Sequence, residues 1–146
     1  LIVDGSHNQH GSEVLNDYLK TLNCKKHLIL GMMLNKEHEK YISYFKDISS
    51  FTVIDIPNQP NAIKGKDLLK KFKNILNVKY EESIEKAIRS IPLEEGDLII
   101  ITGSLYGSGS KNIVLGSWSP ANLKALVFFP NYEANGGHET LTINTT

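Results

Sequence analysis

Short apolar runs that alternate with amphipathic segments constrain the fold of this chain most. The clearest run is DLIIITGS, in which consecutive apolar and β-branched residues lie between Asp97 and Gly103. A continuous run of this kind is typical of a strand that is buried on both faces of a parallel sheet. We therefore predict a strand here, at the centre of a sheet.

Four further runs predict strands, and a segment with helical spacing of apolar residues follows each of them. The predicted strands are Leu1–Val3, HLILG, FTVIDI and a weak strand around Val78. The apolar stripes of the predicted helices are Val14, Leu15, Tyr18, Leu19 and Leu22; Tyr41, Ile42, Phe45 and Ile48; Leu68, Leu69, Phe72, Ile75 and Leu76; and Ile84, Ala87, Ile88 and Ile91. Strands that alternate with helices imply right-handed crossovers. We predict an α/β fold with a Rossmann-like, mostly parallel sheet flanked by helices.

Composition limits the class of protein and its partners. A chain of 146 residues with 40% hydrophobic content is long enough for one core. Sixteen basic residues balance sixteen acidic ones, so we expect no nucleic acid as a partner. The single cysteine, Cys24, cannot form an internal disulfide, and no apolar run approaches the roughly 20 residues that span a bilayer. We expect a cytoplasmic monomer with no membrane segment.

The two ends of the chain differ from the regular alternation. Leu1 already lies within a strand-like run with no methionine or signal peptide before it, so we expect an upstream portion to be missing. From about Gly107 the helical period disappears, and we set residues 107–146 apart as an unassigned tail. A hairpin around Asn135-Gly136-Gly137, a flexible extension and sequence foreign to the domain are the three interpretations of this tail.

Polar residues follow three of the predicted strands, at residues 4–10, 31–36 and 102–106. Ligands of parallel α/β sheets bind at the carboxyl ends of the strands, so these segments should share one edge. The segment DGSHN has neither the dinucleotide fingerprint nor the Walker lysine. Asp4 could accept hydrogen bonds from ribose hydroxyls, or it could only cap the turn.

A zinc site was weighed for the same loop. His7, His10 and Glu13 carry suitable donor atoms, but no further His or Cys cluster completes the site. We therefore predict no metal site in this chain.

Three segments at predicted strand ends resemble motifs of the folylpolyglutamate synthase and dihydrofolate synthase family. LIVDGSHNQHG resembles the family's Asp-Gly-Ala-His-Asn-Pro segment, GMMLNKE its Gly-Met-x-x-Asp-Lys-Asp segment, and ITGSLY its Thr-Gly-Ser-Leu-Tyr segment. The resemblance covers residues 1–106 and implies the Mur-ligase-type C-terminal domain of that family, which binds glutamate. The tail, residues 107–146, resembles no part of it.

The resemblance implies an activity. The family joins L-glutamate to a folate or dihydropteroate carboxylate through an acyl phosphate, with ATP and Mg²⁺ as cofactors. Its P-loop, and with it most magnesium ligands, would lie in an N-terminal ATPase domain that is missing here, so the fragment alone is expected to be inactive. The alternative is a non-catalytic α/β module that binds a nucleotide or an amino acid.

The resemblance also implies roles for four residues. Asp4 matches the position that holds the ATP ribose, and His7 one that helps to bind glutamate and to orient its reacting end, a catalytic role. Lys36 and Ser104 match positions that hold the incoming amino acid in related Mur ligases. Such donors suit a dianionic amino acid. Taken singly, Lys36 also fits a solvated surface lysine and Ser104 a strand-end turn residue.

Three residues depart from the family's motifs. Ser6 stands where the family has alanine, Gln9 where it has proline, and Asn35 where it has the first aspartate of Asp-Lys-Asp. Gln9 removes a rigid turn, and Asn35 removes one negative charge near the predicted amino-acid site. We expect Gln9 to loosen the loop, and we expect the charge lost at Asn35 to bear on the exact substrate rather than on the family.

Overall fold

Strands and helices alternate along the chain as far as residue 103. The structure is a computed structural model that describes residues 2–4, 9–74, 77–103, 111–116, 126–128 and 141–145. The helices are α1 (Gln9–Lys20), α2 (His38–Ser43), α3 (Gly65–Phe72) and α4 (Ile84–Ser90). The strands are β1 (Ile2–Asp4), β2 (Lys26–Gly31), β3 (Ser50–Ile54), β4 (Val78–Glu81), β5 (Leu98–Gly103), β6 (Lys111–Gly116), β7 (Leu126–Phe128) and β8 (Leu141–Thr145).

Six of the strands form one parallel sheet in the order β4-β3-β2-β5-β1-β7. Strand β5, the DLIIITGS segment, lies between β2 and β1. The predicted α/β class and the central position of this strand are therefore confirmed. Strands β6 and β8 form a separate parallel pair.

The central strand separates two hydrophobic cores. Ile100 packs in the core formed with α1, α2 and α3, whereas Ile99 and Ile101 pack in the core formed with α4. Successive side chains of a strand point to opposite faces of the sheet, so a strand between two layers of helices must be apolar throughout. This double burial explains the unbroken isoleucine run.

The predicted apolar stripe of α1 is wrong at two positions. Val14 is 51% exposed and Tyr18 38% exposed, although Leu15 and Leu19 are buried as predicted. Two polar residues, Ser12 and Asn16, are buried on the core-facing side instead. Their hydrogen bonds explain this, because the Ser12 hydroxyl donates to the Gln9 carbonyl oxygen at 2.8 Å and Asn16 Oδ1 accepts from the Lys46 amide at 3.1 Å.

Helix α2 is shorter than its apolar pattern. The helix ends at Ser43. Phe45, which the predicted stripe includes, is buried but lies in the segment after the helix. Ile75 and Leu76, which extend the pattern of α3, lie outside the described residues.

The tail contributes described strands. Strand β7 pairs with β1, with Ile2 opposite Leu126 and Asp4 opposite Phe128. The hairpin that we considered around residues 135–137 lies outside the described residues. We propose a domain boundary at residue 106, with β7 added at one edge of the sheet.

Deletion of residues 107–146 is expected to leave a cooperative unfolding transition. Among the residues whose burial the structure describes, those of both cores fall between Leu15 and Ile101, so the deletion removes none of them. The deletion should lower the free energy of unfolding by about 1–3 kcal/mol, since β1 loses a few backbone hydrogen bonds to β7. Thermal unfolding followed by circular dichroism compares residues 1–106 with residues 1–146. A non-cooperative, gradual transition of the shorter chain would place the tail within the domain.

Candidate functional site

The carboxyl ends of four neighbouring strands lie level at one edge of the sheet. Gly31 of β2 pairs with Gly103 of β5, and the pairing of Leu30 with Val53 brings the end of β3 to the same level. Strand β1 pairs with β5 with Val3 opposite Ile101, so Asp4, the next residue, is level with the end of β5. We call this edge the rim, and it comprises residues 4, 31–38, 55–64 and 102–103.

The rim contains two of the four predicted site residues. Asp4 is the last residue of β1, at the strand end where the sequence predicted it. Lys36 lies in the turn between β2 and α2. His7 and Ser104 lie outside the described residues, so their positions stay predictions.

Backbone hydrogen bonds hold the turn that carries Lys36. The Leu34 amide donates to the Asn61 carbonyl oxygen at 2.8 Å, and the Ile63 amide donates to the Met32 carbonyl oxygen at 3.0 Å. Lys36 is half-buried and makes no ion pair with any other described residue. A held backbone with an unpaired ammonium group is a suitable arrangement for binding a carboxylate.

His38, the first residue of α2, follows the same turn, and the sequence did not indicate a role for it. Its side chain is buried, and Nε2 donates to the Met33 carbonyl oxygen at 2.8 Å. The other ring nitrogen, Nδ1, is buried and has no hydrogen-bond partner among the described residues. The only sequence signal was its position two residues after Lys36.

A buried hydrogen bond connects α2 to the end of β5. The hydroxyls of Tyr41 and Thr102 are 2.7 Å apart, and both side chains are inaccessible to solvent. The bond holds α2, which follows the Lys36 turn, against the strand that leads to Ser104. The sequence predicts Tyr41 only as an apolar core residue. The hydroxyl that pairs with it lies 61 residues away along the chain, so no local pattern indicates the bond.

Asp55 follows β3 at the rim but is already engaged in the fold. Oδ1 accepts from the Gly65 amide at 2.7 Å, at the start of α3, and Oδ2 accepts from the Tyr80 hydroxyl at 2.6 Å. The hydrogen bond to Asp55, with burial, raises the pKa of Tyr80 to about 12. Because both carboxylate oxygens hold α3 and β4 in place, Asp55 is a structural residue.

The described residues do not fit a metal ion by themselves. Within residues 9–74 and 77–103 and the short strands, no three His, Cys, Asp or Glu side chains cluster as a metal site requires. His10 and Glu13, which we weighed as zinc donors, are exposed on α1. None of the helices in the described part of the chain is both long and apolar enough to cross a membrane.

Comparison with known proteins gives one family and several structures. A sequence model of the family described as "Mur ligase, glutamate ligase domain" matches residues 1–105. None of the curated proteins compared with the chain matches it.

Three solved structures share the fold. Folylpolyglutamate synthase from Thermotoga maritima is 28% identical, with a TM-score of 0.61 over 69% of this chain and 24% of that chain. E. coli FolC in complex with DHPP and ADP is 21% identical, with a TM-score of 0.58 over 70% and 26% of the two chains. The bifunctional folylpolyglutamate synthase/dihydrofolate synthase from Yersinia pestis complexed with AMPPNP and Mn ion is 17% identical, with a TM-score of 0.60 over 68% and 24%. The chain thus spans about a quarter of the length of these enzymes.

Proposed function

Because the chain belongs to the family of Mur ligase glutamate ligase domains, we propose that it is the glutamate-binding domain of an ATP-dependent acid–amino-acid ligase. The family match and the structural likeness to folylpolyglutamate synthases confirm the resemblance that the three sequence motifs predicted. The ligase joins the amine of L-glutamate to a carboxylate of a folate or of dihydropteroate through an acyl phosphate. The solved complex of the similar E. coli FolC with DHPP and ADP supports the use of a nucleotide.

The Lys36 turn is the observation that carries the proposal. Hydrogen bonds from Leu34 and His38 hold its backbone, and no described carboxylate pairs with its ammonium group. An ammonium in that position binds a carboxylate of glutamate through charge-assisted hydrogen bonds. We assign His7 and Ser104 to the same ligand, since they follow the carboxyl ends of β1 and β5 in the sequence.

The spacing of the strands separates two ligands along the rim. Strand β5 lies between β1 and β2, so the end of β1 with Asp4 is about 10 Å from the end of β2. In this proposal Asp4 binds the ribose of ATP, and the Lys36 turn binds glutamate. The reacting groups of both ligands approach the end of β5.

The cofactors are ATP and Mg²⁺. When bound, ATP supplies the phosphoryl group that activates the carboxylate. The described residues contain no metal cluster. In this proposal an N-terminal ATPase domain supplies the magnesium ligands and the phosphate cradle. Residues 1–146 alone are then inactive as a ligase, and the enzyme is a cytoplasmic monomer.

Replacing Lys36 with alanine in the full-length enzyme is expected to raise the KM for glutamate at least tenfold. The loss corresponds to about 1.5–3 kcal/mol of hydrogen bonding to a charged group. The KM for ATP should change little. Asp4→Ala should show the opposite pattern, with the larger loss for ATP, and steady-state kinetics with each substrate varied in turn measures both.

Lys40→Ala is the matched control for this test. Lys40 is exposed on α2 and pairs with Glu37 at 3.3 Å, so its removal leaves the turn and both KM values unchanged. Equal losses for ATP and glutamate in the Lys36 variant, or no loss for either, would remove Lys36 from the glutamate site. The non-catalytic binding module would then be the better interpretation.

A further inference from the structure

A cleft lies at the edge of the sheet opposite the rim, at the amino ends of the strands. It has a volume of about 340 Å³ and is lined by residues 19–24 and by Lys26, Lys46 and Asp47. These residues belong to the end of α1, the connection to β2 and the connection from α2 to β3. The volume is at the lower end of the range for small-ligand sites.

The lining of this cleft carries an excess of positive charge. Three of the lining residues are lysines, Lys20, Lys26 and Lys46, and one is an aspartate, Asp47. Lys20 is 4.0 Å from Asp17, and both side chains are largely exposed, so this pair neutralises little of the charge. The whole chain has a formal net charge of zero, so the excess is local to the cleft.

Lys26 is the buried member of this set, with 6% of the residue exposed. Its Nζ donates to the carbonyl oxygens of Leu22 at 2.8 Å and Cys24 at 3.2 Å. An ammonium group has three donors, and no described carboxylate pairs with this one. Burial of a charged group is costly, and an anion in the cleft would add an opposite charge and a further acceptor to the two carbonyl oxygens.

The walls of the cleft are held by hydrogen bonds. The backbone of Lys26 is bonded to Ser49 twice, with the Ser49 amide donating to the Lys26 carbonyl oxygen at 2.7 Å and the Lys26 amide donating to Ser49 Oγ at 3.3 Å. The buried Asn16 side chain accepts from the Lys46 amide at 3.1 Å. The backbones of Lys26 and Lys46 are therefore held in place, which reduces the entropic cost of binding.

We propose that this cleft binds a small anion that carries a phosphate or carboxylate group, with Lys26, Lys46 and Lys20 as its ligands. The site lies at the opposite edge of the sheet from Asp4 and Lys36, so it is separate from the glutamate site and does not depend on the proposed ligase activity.

Amide chemical shifts of residues 1–146, titrated with inorganic phosphate at constant ionic strength, test the proposal. We expect saturable shifts at residues 20–26 and 46–47 and none at residues 34–36. Lys46→Gln should raise the phosphate Kd about fivefold, and Asp47→Asn should lower it severalfold because a repelling carboxylate is removed. Asparagine also tolerates the φ of 57° at this position.

Lys25→Gln is the matched control. Lys25 is adjacent to Lys26 in the sequence, but it is exposed, pairs with Glu94 at 3.0 Å and does not line the cleft. Its replacement should leave the Kd unchanged. A parallel titration with succinate distinguishes a phosphate ligand from a carboxylate ligand. The proposal is overturned if neither anion gives saturable shifts, if chloride gives the same shifts, or if the Lys25 variant weakens binding as much as the Lys46 variant.

Discussion

Replacement of Gly103 by alanine is expected to lower the free energy of unfolding by about 2–6 kcal/mol, from backbone strain and overpacking together. Gly103 has a φ of +104°, which side chains of L-residues rarely adopt. A Cβ atom there would overlap the Gly31 carbonyl oxygen and lie 2.8 Å from Leu30 Cδ1. The carbonyl belongs to the backbone of β2, so it cannot move away without disturbing the pairing of β2 with β5.

Gly96→Ala provides a matched control for this prediction. Gly96 also has a positive φ, +87°, but a Cβ atom there meets nothing within 4 Å. The free energy of unfolding of this variant should fall only by the cost of the positive φ, about 1–2 kcal/mol. Urea unfolding of the two variants and the wild type measures the difference. Equal losses of unfolding free energy in the two variants would show that the overlap with the Gly31 carbonyl oxygen adds nothing to the cost of the Gly103 substitution.

Replacement of Asp97 by asparagine is expected to lower the free energy of unfolding at neutral pH by about 1.5–3 kcal/mol. Asp97 Oδ2 is 2.9 Å from His27 Nε2, and His27 Nδ1 is 2.7 Å from Ser50 Oγ. The side chains of Asp97 and His27 are only 6% exposed. This chain of hydrogen bonds joins the amino ends of β2 and β3 to the segment before β5, so the substitution weakens three strands at once.

The same variant should change the dependence of stability on acid pH. The hydrogen bond from His27 holds the pKa of Asp97 below its ordinary value of 3.8. The folded state therefore gains stability from the ionised carboxylate, fully above the ordinary pKa, and loses it as the pH falls through the folded-state pKa. The wild type should lose stability below about pH 4 more steeply than Asp97→Asn does.

Ser50→Ala is the control for the acid dependence. It removes the Ser50 hydrogen bond at a cost of about 0.5–1.5 kcal/mol and leaves the pair of Asp97 and His27 intact. Denaturant unfolding between about pH 2 and 7 should therefore give the wild-type slope for Ser50→Ala and a smaller slope for Asp97→Asn. Identical slopes for all three proteins would show that the fold does not stabilise the ionised form of Asp97.

The Lys36 turn and the cleft around Lys26, at opposite edges of the sheet, differ in how far the sequence predicts them. Lys36 was identified from a motif at a strand end, and the structure then showed the hydrogen bonds that hold its turn. The cleft around Lys26 has no sequence signal, because Lys20, Lys26 and Lys46 look like ordinary surface lysines along the chain. Only the packing of two loops against the start of β2 brings them together.

The sequence by itself determined the α/β class, the central place of β5 and the strand-end position of Asp4. Burial on both faces requires an unbroken apolar run, and helix burial requires a spacing of three or four, so both are visible within a short window. The core-facing side of α1 was not determined in this way, since Asn16 is buried only because the distant Lys46 amide donates to it. The pairs Tyr41 with Thr102 and Asp55 with Tyr80 were likewise decided by the tertiary structure. A polar side chain can be buried only when a partner satisfies it, and the partner's position is known only once the chain has folded.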